Sequence, residues 1–263
     1  MRFNEPFEKL VNSPEWHNKF IGYGNPDAKI LIIGQEAGVL PGSDEWKNFY
    51  QPNQEQWKET INDENLTYRN GFEKQENEEY KFPEYFNPLF PFYKQLNIER
   101  KISKKDKHLI SGENGTSQTY WWYQKLLDKV YPNPGGEPEY IDFFRNVFIT
   151  ELNDETREDH TTKQSNLRQN IARRFDMMIA TTEFWKRFKV VVFACGPYAD
   201  AINIEKARAM DENSKTRVQI EKLFFDIFGH NVKPFYCYQL NTRNGAGRIV
   251  EDLGPRIKAA IEE

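Results

Sequence analysis

Four short apolar runs in this chain each end in a polar segment, and those ends hold the residue types that can do chemistry. Lys29-Ile30-Leu31-Ile32-Ile33 runs into Gly34-Gln35-Glu36-Ala37-Gly38. Asn146-Val147-Phe148-Ile149-Thr150 runs into Glu151-Leu152-Asn153-Asp154-Glu155. Val190 to Cys195 stops at Gly196-Pro197, and Lys233 to Tyr238 runs into Gln239-Leu240-Asn241-Thr242-Arg243-Asn244-Gly245-Ala246-Gly247-Arg248. In the first segment, glycine at both edges allows a sharp turn and a close approach to a ligand. Glu36 between them can orient or deprotonate water, or stabilise a developing positive charge. The plainer alternative is an ordinary strand-to-helix turn with an exposed glutamate. In the last segment, Gly245-Ala246-Gly247-Arg248 would open a helix whose free N–H groups favour phosphate. Arg243 and Arg248 could add charge-assisted contacts; the alternative is a solvated loop with two surface arginines. The acids of 151–155 leave a Mg²⁺ site open as a minor reading.

Other candidates are weaker. No Gly-x-Gly-x-x-Gly follows a strand, since Gly22-Tyr23-Gly24 precedes the first one, and no Walker lysine motif occurs. His17, His108, His160 and His230 are scattered and read as surface or capping residues. Lys101 to Lys107 reads as a solvated basic loop, with a backbone-phosphate contact as the alternative. Arg168, Arg173 and Arg174 read as the outer face of a helix. Cys195 and Cys237, both at strand ends, read as small core residues.

The elements that must position these segments follow from periodicity. The first and third apolar runs are continuous, which suits strands covered on both faces. Helical spacing extends over Ser117–Tyr131, Ser165–Phe188, Tyr198–Ala209, Thr216–Phe228 (closed by Gly229) and from about Gly247 to Glu263. Leu167, Ile171, Phe175, Met178 and Ile179 are assigned to one face of the second helix, and Pro255 could kink the last. Strand–helix alternation implies a parallel sheet with helices on both sides. The interval 39–116 has no convincing strand and is rich in Asn, Gln, Glu, Pro and aromatics; it reads as an insertion that covers the sheet or lines a cleft.

Composition bounds the class. At 263 residues the chain fits one large α/β domain or two small ones. Mean hydropathy is −0.83, but 20 Phe, 13 Tyr and 6 Trp argue against disorder. No apolar run approaches the ~20 residues of a membrane helix, and Met1-Arg2-Phe3-Asn4-Glu5-Pro6 is no signal peptide. Two cysteines are too few for a disulfide framework, a four-cysteine zinc site or an iron–sulfur cluster, so a reducing cytoplasm is expected. With a net charge of −4, any nucleic-acid contact must come from a local basic edge.

The strand ends, taken in order, resemble the uracil-DNA glycosylase superfamily. Ile-Leu-Ile-Ile-Gly-Gln-Glu-Ala-Gly (30–38) is similar to the family's first motif, which reads Gly-Gln-Asp-Pro-Tyr in one branch and Gly-Glu-Ala-Pro-Gly in another. Val-Phe-Ile-Thr (147–150) resembles its second strand. The helix 165–188 with Lys-Val-Val-Val-Phe-Ala-Cys-Gly (189–196) and Tyr198-Ala199 resembles its third strand and flanking helices. The fourth strand and last helix resemble the segment bearing the family's His-Pro-Ser motif. The resemblance covers about 60% of the chain and leaves 39–116 unassigned.

The resemblance implies a single α/β domain over 1–263. Its fold would be three-layer αβα with a four-stranded parallel sheet and a long irregular or helical insertion after strand one. It implies a DNA partner bound at the carboxyl edge, a flipped base, and hydrolysis of the N-glycosidic bond without metal, iron–sulfur cluster or other cofactor. A monomer with no membrane association is expected. By position, Glu36 matches the water-activating acid. Gly34, Gln35, Ala37 and Gly38 would contact the base, and one of Trp46, Phe49 or Tyr50 would stack on it. Glu151 stands where the family often has a base-reading Asn, with Asn153 two residues on. Gln239-Leu240-Asn241 replaces His-Pro-Ser, so Gln239 and Asn241 would contact the base or the DNA without a positive charge. Arg243, Asn244, Gly245, Gly247 and Arg248 would hold phosphates. Glu151, an acceptor, suits a base that presents donors, which points to a lesion other than uracil. The alternatives are a catalytically divergent member that binds nucleic acid or a nucleotide, and an α/β enzyme acting on a small phosphorylated ligand.

Overall fold

The structure, a computed structural model, describes residues 3–16, 19–35, 52–63, 73–74, 80–81, 87–89, 118–132, 141–153, 167–195, 224–240 and 244–263. Its first elements are helix α1 (Glu5–Asn12), a 3₁₀ turn (Pro14–Trp16) and strands β1 (Tyr23–Gly24) and β2 (Ile30–Gly34). Helix α2 (Asn53–Asn62) and the two-residue strands β3 (Glu73–Lys74) and β4 (Tyr80–Lys81) follow. Then come α3 (Gln118–Val130), a 3₁₀ turn (Phe143–Arg145), β5 (Val147–Glu151), α4 (Leu167–Ala180) and α5 (Thr182–Trp185). Strands β6 (Val190–Phe193) and β7 (Lys233–Tyr236) and helix α6 (Ala246–Glu262) complete the order. Residues 224–228 are also helical, and the Gly229 N–H closes that helix on the Phe225 carbonyl at 2.8 Å.

The main sheet has five strands in the order β1-β5-β2-β6-β7. Four of them, β5, β2, β6 and β7, are parallel, as the apolar runs predict. The fifth, β1, pairs antiparallel with β5 (Tyr23 opposite Ile149) and was hidden in a segment too short for a periodic signal. Every residue of β2, β5 and β6 is buried. The reason is visible in the period-two alternation of side chains. Leu31, Ile33, Phe148, Val191 and Phe193 enter one core with Phe7 of α1, Trp57 of α2, Met178 of α4 and Phe184 of α5. Ile30, Ile32, Val147, Ile149, Val190 and Val192 enter a second core with Leu126 and Leu127 of α3 and Val250, Leu253 and Ile257 of α6. Helices therefore cover both faces. β7 is the exposed exception, with Pro234 tolerated because the strand lies at the sheet edge.

Two expectations need correction. The 39–116 interval holds a helix and a small antiparallel hairpin, β3–β4, rather than no strand at all. Its helix α2 covers the sheet: Trp57 is fully buried and donates its indole N–H to the Gly22 carbonyl at 2.7 Å. The buried side chain of Asn53 accepts from the Ile21 and Gly22 N–H groups and donates to the Gly22 carbonyl. Second, the predicted single helix over 165–188 divides into α4 and α5 at Thr181, whose hydroxyl donates back to the Met177 carbonyl. Ile179 is 37% exposed, because adjacent positions cannot share one helical face with Met178. Pro255 lies inside α6, within the last helical span that the sequence predicts.

Candidate functional site

Parallel pairing brings the carboxyl ends of β5, β2, β6 and β7 to one edge, where an open α/β sheet binds ligands. β2 occupies the middle of the sheet, and its last residue Gly34 stands opposite Glu151. Hydrogen bonds continue past the strands. The Leu152 N–H donates to the Gly34 carbonyl at 3.0 Å and the Asn153 N–H to the Gln35 carbonyl at 2.9 Å. The Gln35 side-chain amide donates to the Cys195 carbonyl at 2.8 Å. Three strand ends are thus laced together, and Gln35 serves that lacing with its side chain.

Glu151 is the one buried carboxylate among the described residues, 8% exposed. Its carboxylate lies over Gly34, where a Cβ would overlap Oε2 and stand 2.9 Å from Cδ. Glycine at 34 therefore makes room for the acid. Alternation along β5 puts Glu151 on the α3 side and Thr150 on the α4 side. On the α3 side, Tyr120 and Tyr123 feel the carboxylate. Burial pushes the Tyr120 phenol up to about 12, with the Glu151 charge adding and a hydrogen bond with Tyr23 opposing. Burial also raises Tyr123, and the nearby Glu151, Cys237, Tyr120 and Cys195 add to it. Both phenols stay neutral at physiological pH, so neither adds charge beside the acid.

Behind the strand end lies Arg174, which sequence assigns to a solvated helix face and the structure buries completely. Its Nε donates to the Glu151 carbonyl at 3.1 Å and its Nη2 to the Ile21 carbonyl at 3.2 Å. It also donates to the Phe20 carbonyl and the Thr150 hydroxyl. Thr150 in turn donates to the Ile21 carbonyl at 2.7 Å. The guanidinium packs 5.9 Å from the ring centroids of Trp16 and Phe20. A buried cation is tolerable when its donors are satisfied, and here the acceptors come from segments that must be brought together anyway. The signal in the sequence was position: Arg174 lies three residues after Ile171 and four before Met178, inside the apolar stripe of α4.

The remaining candidates divide. Asn153 is fully buried and its Oδ1 accepts from Asn170 of α4 at 3.2 Å, so its carboxamide oxygen serves the strand-end brace. Gln239 is half-buried, and its carbonyl accepts from the Asn244 side chain at 2.9 Å. Gly245 is the N-cap of α6 in the left-handed region (φ 71°) and supplies no side-chain cap. The Arg248 and Ile249 N–H groups return to its carbonyl, while Arg248 projects as an exposed side chain. Gly247 lies beside the Trp122 ring of α3. Glu36, Ala37, Gly38, Phe49, Asn241 and Arg243 lie outside the described residues, as do Trp46, Tyr50, Asp154, Glu155, His17, His108, His160 and Lys101–Lys107. Cys195 is buried, and Cys237 is half-buried with its thiol pushed up to about 12 by burial. His230 stacks on Phe225, ring centroids 4.6 Å apart. Among the described residues no group of three or more His, Cys, Asp or Glu could hold a metal ion. No described helix is long and apolar enough to cross a membrane. No family model, curated protein or solved structure matches this chain.

Proposed function

We propose that this protein is a uracil-DNA glycosylase-like hydrolase that removes an altered base from DNA, within a single three-layer αβα domain. The observation that supports this most is the Glu151 carboxylate, buried and cradled over Gly34 at the carboxyl edge. That is the position at which the resembled family reads its base. In this reading Glu36, next in the chain after Gln35, positions a water whose oxygen adds to C1′ of the sugar. The C1′–N bond breaks with its electron pair on the base, and the water's proton ends on the base nitrogen. Gln239 and Asn241 hydrogen-bond the departing base, Phe49 stacks on it, and Gly34, Gln35, Ala37 and Gly38 line its edge. Arg243, Asn244, Gly245, Gly247 and Arg248 hold the flanking phosphates through charge and helix N–H groups. Extruding the base costs a few kcal/mol of stacking and pairing, least at a damaged pair.

The test is release of bases from oligonucleotides carrying uracil, hypoxanthine, xanthine, 5-hydroxymethyluracil or modified cytosines, followed by alkali. Strand cleavage that disappears in Glu36→Ala is expected. Intact strands with every base would overturn the reading. A second reading, binding without catalysis, is favoured by the replacement of the family's histidine by the Gln239-Leu240-Asn241 stretch. It expects no cleavage, together with salt-sensitive DNA binding that weakens in Arg243→Ala/Arg248→Ala.

A further inference from the structure

We infer that Asn244-Gly245 is a site of spontaneous deamidation, and that the change turns a donor tying the segment after β7 to the start of α6 into a negative charge. This chemistry does not depend on the hydrolysis proposed above. Asn-Gly occurs at 70, 114 and 244, and only the last lies among the described residues. There both residues are exposed to solvent. Gly245 precedes α6, so the ladder of that helix holds its carbonyl, through the Arg248 and Ile249 N–H groups, and not its nitrogen. With no side chain of its own and no atom within 4 Å of where a Cβ would stand, Gly245 leaves its nitrogen open to the preceding side chain.

The reaction consumes water and releases ammonia, with no change of oxidation state. Hydroxide takes the proton of the Gly245 nitrogen, which attacks Cγ of Asn244. A C–N bond closes a five-membered succinimide, and the side-chain nitrogen leaves as ammonia with a proton from water. A second water then opens one of the two ring carbonyls, giving an aspartate or its β-linked isomer. The Asn244 amide, which donates to the Gln239 carbonyl at 2.9 Å, must first leave that bond. Once a carboxylate stands there, two acceptors face each other and the tie cannot re-form. The new charge instead suits the start of α6, whose first turn carries no acidic residue and whose cap makes no side-chain hydrogen bond.

Peptide mapping isolates this site from the other two. Full-length protein is held at neutral and at mildly alkaline pH and sampled over days. Trypsin cuts after Arg243 and Arg248, so residues 244–248 are released as one peptide for mass spectrometry. A rising fraction is expected to exchange its amide for a carboxyl group, as two isomers, and to do so faster at the higher pH. Gly245→Ala, whose methyl obstructs the attack, should slow the exchange several-fold while Asn244 is retained. A peptide that keeps its amide in the folded protein, while the same chain in denaturant loses it, would overturn the inference. Exchange as fast in Gly245→Ala as in the parent would overturn the role of the glycine. For the charge, Asn244→Asp is compared with Asn244→Ala, since both lose the tie to Gln239 and only the first gains a carboxylate. Asn244→Asp is expected to melt at the higher temperature, with a gap that shrinks as salt is added. Equal melting temperatures would overturn the favourable placement of the charge.

Discussion

The carboxylate of Glu151 fills the space that a side chain on Gly34 would need, with Cδ only 2.9 Å from where a Cβ would stand. The two residues end adjacent parallel strands in register. Replacing Gly34 by Ala is therefore expected to displace the acid, at a cost of about 1–3 kcal/mol for overpacking a closed site. The obstacle is the far end of another side chain, so the strain should vanish when that side chain is shortened. Urea unfolding of Gly34→Ala in the parent and in a Glu151→Ala background checks this. The cost should fall by more than about 0.5 kcal/mol in the second background, the usual signature of residues in contact. Equal costs would show that Gly34 serves the backbone instead.

Arg174 joins three separated segments, 20–21, 150–151 and its own helix. Removing the guanidinium in Arg174→Met leaves buried carbonyl oxygens without donors. A loss of about 3–5 kcal/mol is expected, as for other broken buried charge networks. Arg174→Lys should recover little of it, because an ammonium cannot reach acceptors in several directions from one plane. Denaturant unfolding of both variants is the measurement, and a near-neutral Arg174→Met would contradict the network.

Alkaline pH should destabilise the fold through Tyr120 and Cys237. Burial raises the phenol from 10.0 and the thiol from 9.0, each to about 12. Below the ordinary values both folded and unfolded chains hold these protons, so stability is level there. Between the ordinary and the raised values the unfolded chain has released protons that the folded chain keeps. Stability therefore falls as pH rises through that window, by at most about 1.4 kcal/mol per pH unit for each group. Urea titrations at neutral pH and at about pH 11 read the loss, and Tyr120→Phe should reduce it. Slow alkylation of Cys237 at neutral pH, fast after unfolding, follows from the same burial.

Gly245 holds a left-handed N-cap with nothing within 4 Å of where its Cβ would stand. Gly245→Ala should cost about 1–2 kcal/mol from the backbone alone, and Gly245→Asn less. Equilibrium unfolding gives the comparison. Arg248→Ala, exposed in the first turn of the same helix, should leave stability unchanged within about 0.5 kcal/mol. If DNA is bound there, the same variant should lower the slope of log affinity against log salt by about one.

The sheet was largely legible because its strands are short, continuous apolar runs whose burial on both faces leaves a composition that no loop would carry. The four runs at 30, 147, 190 and 233 became four parallel neighbours. The helix boundaries at Gln118–Val130 and Ala246–Glu262 came within a residue or two of the predicted spans, since Pro132 and the glycines at 245–247 punctuate them. Other features depended on contacts distant in sequence. A two-residue strand such as β1 has no period to read; only its pairing with β5 defines it. Arg174 looks solvated in one dimension because its acceptors lie more than a hundred residues away at Phe20 and Ile21. Sequence by itself determined which residues end the strands, and hence that Gly34, Gln35, Glu151 and Gln239 gather near one sheet edge. Only the tertiary structure decided what each does there. Gln35 laces strands and Asn153 braces α4, while Glu151 turns over a glycine, because register and alternation assign every side chain its face and its neighbour.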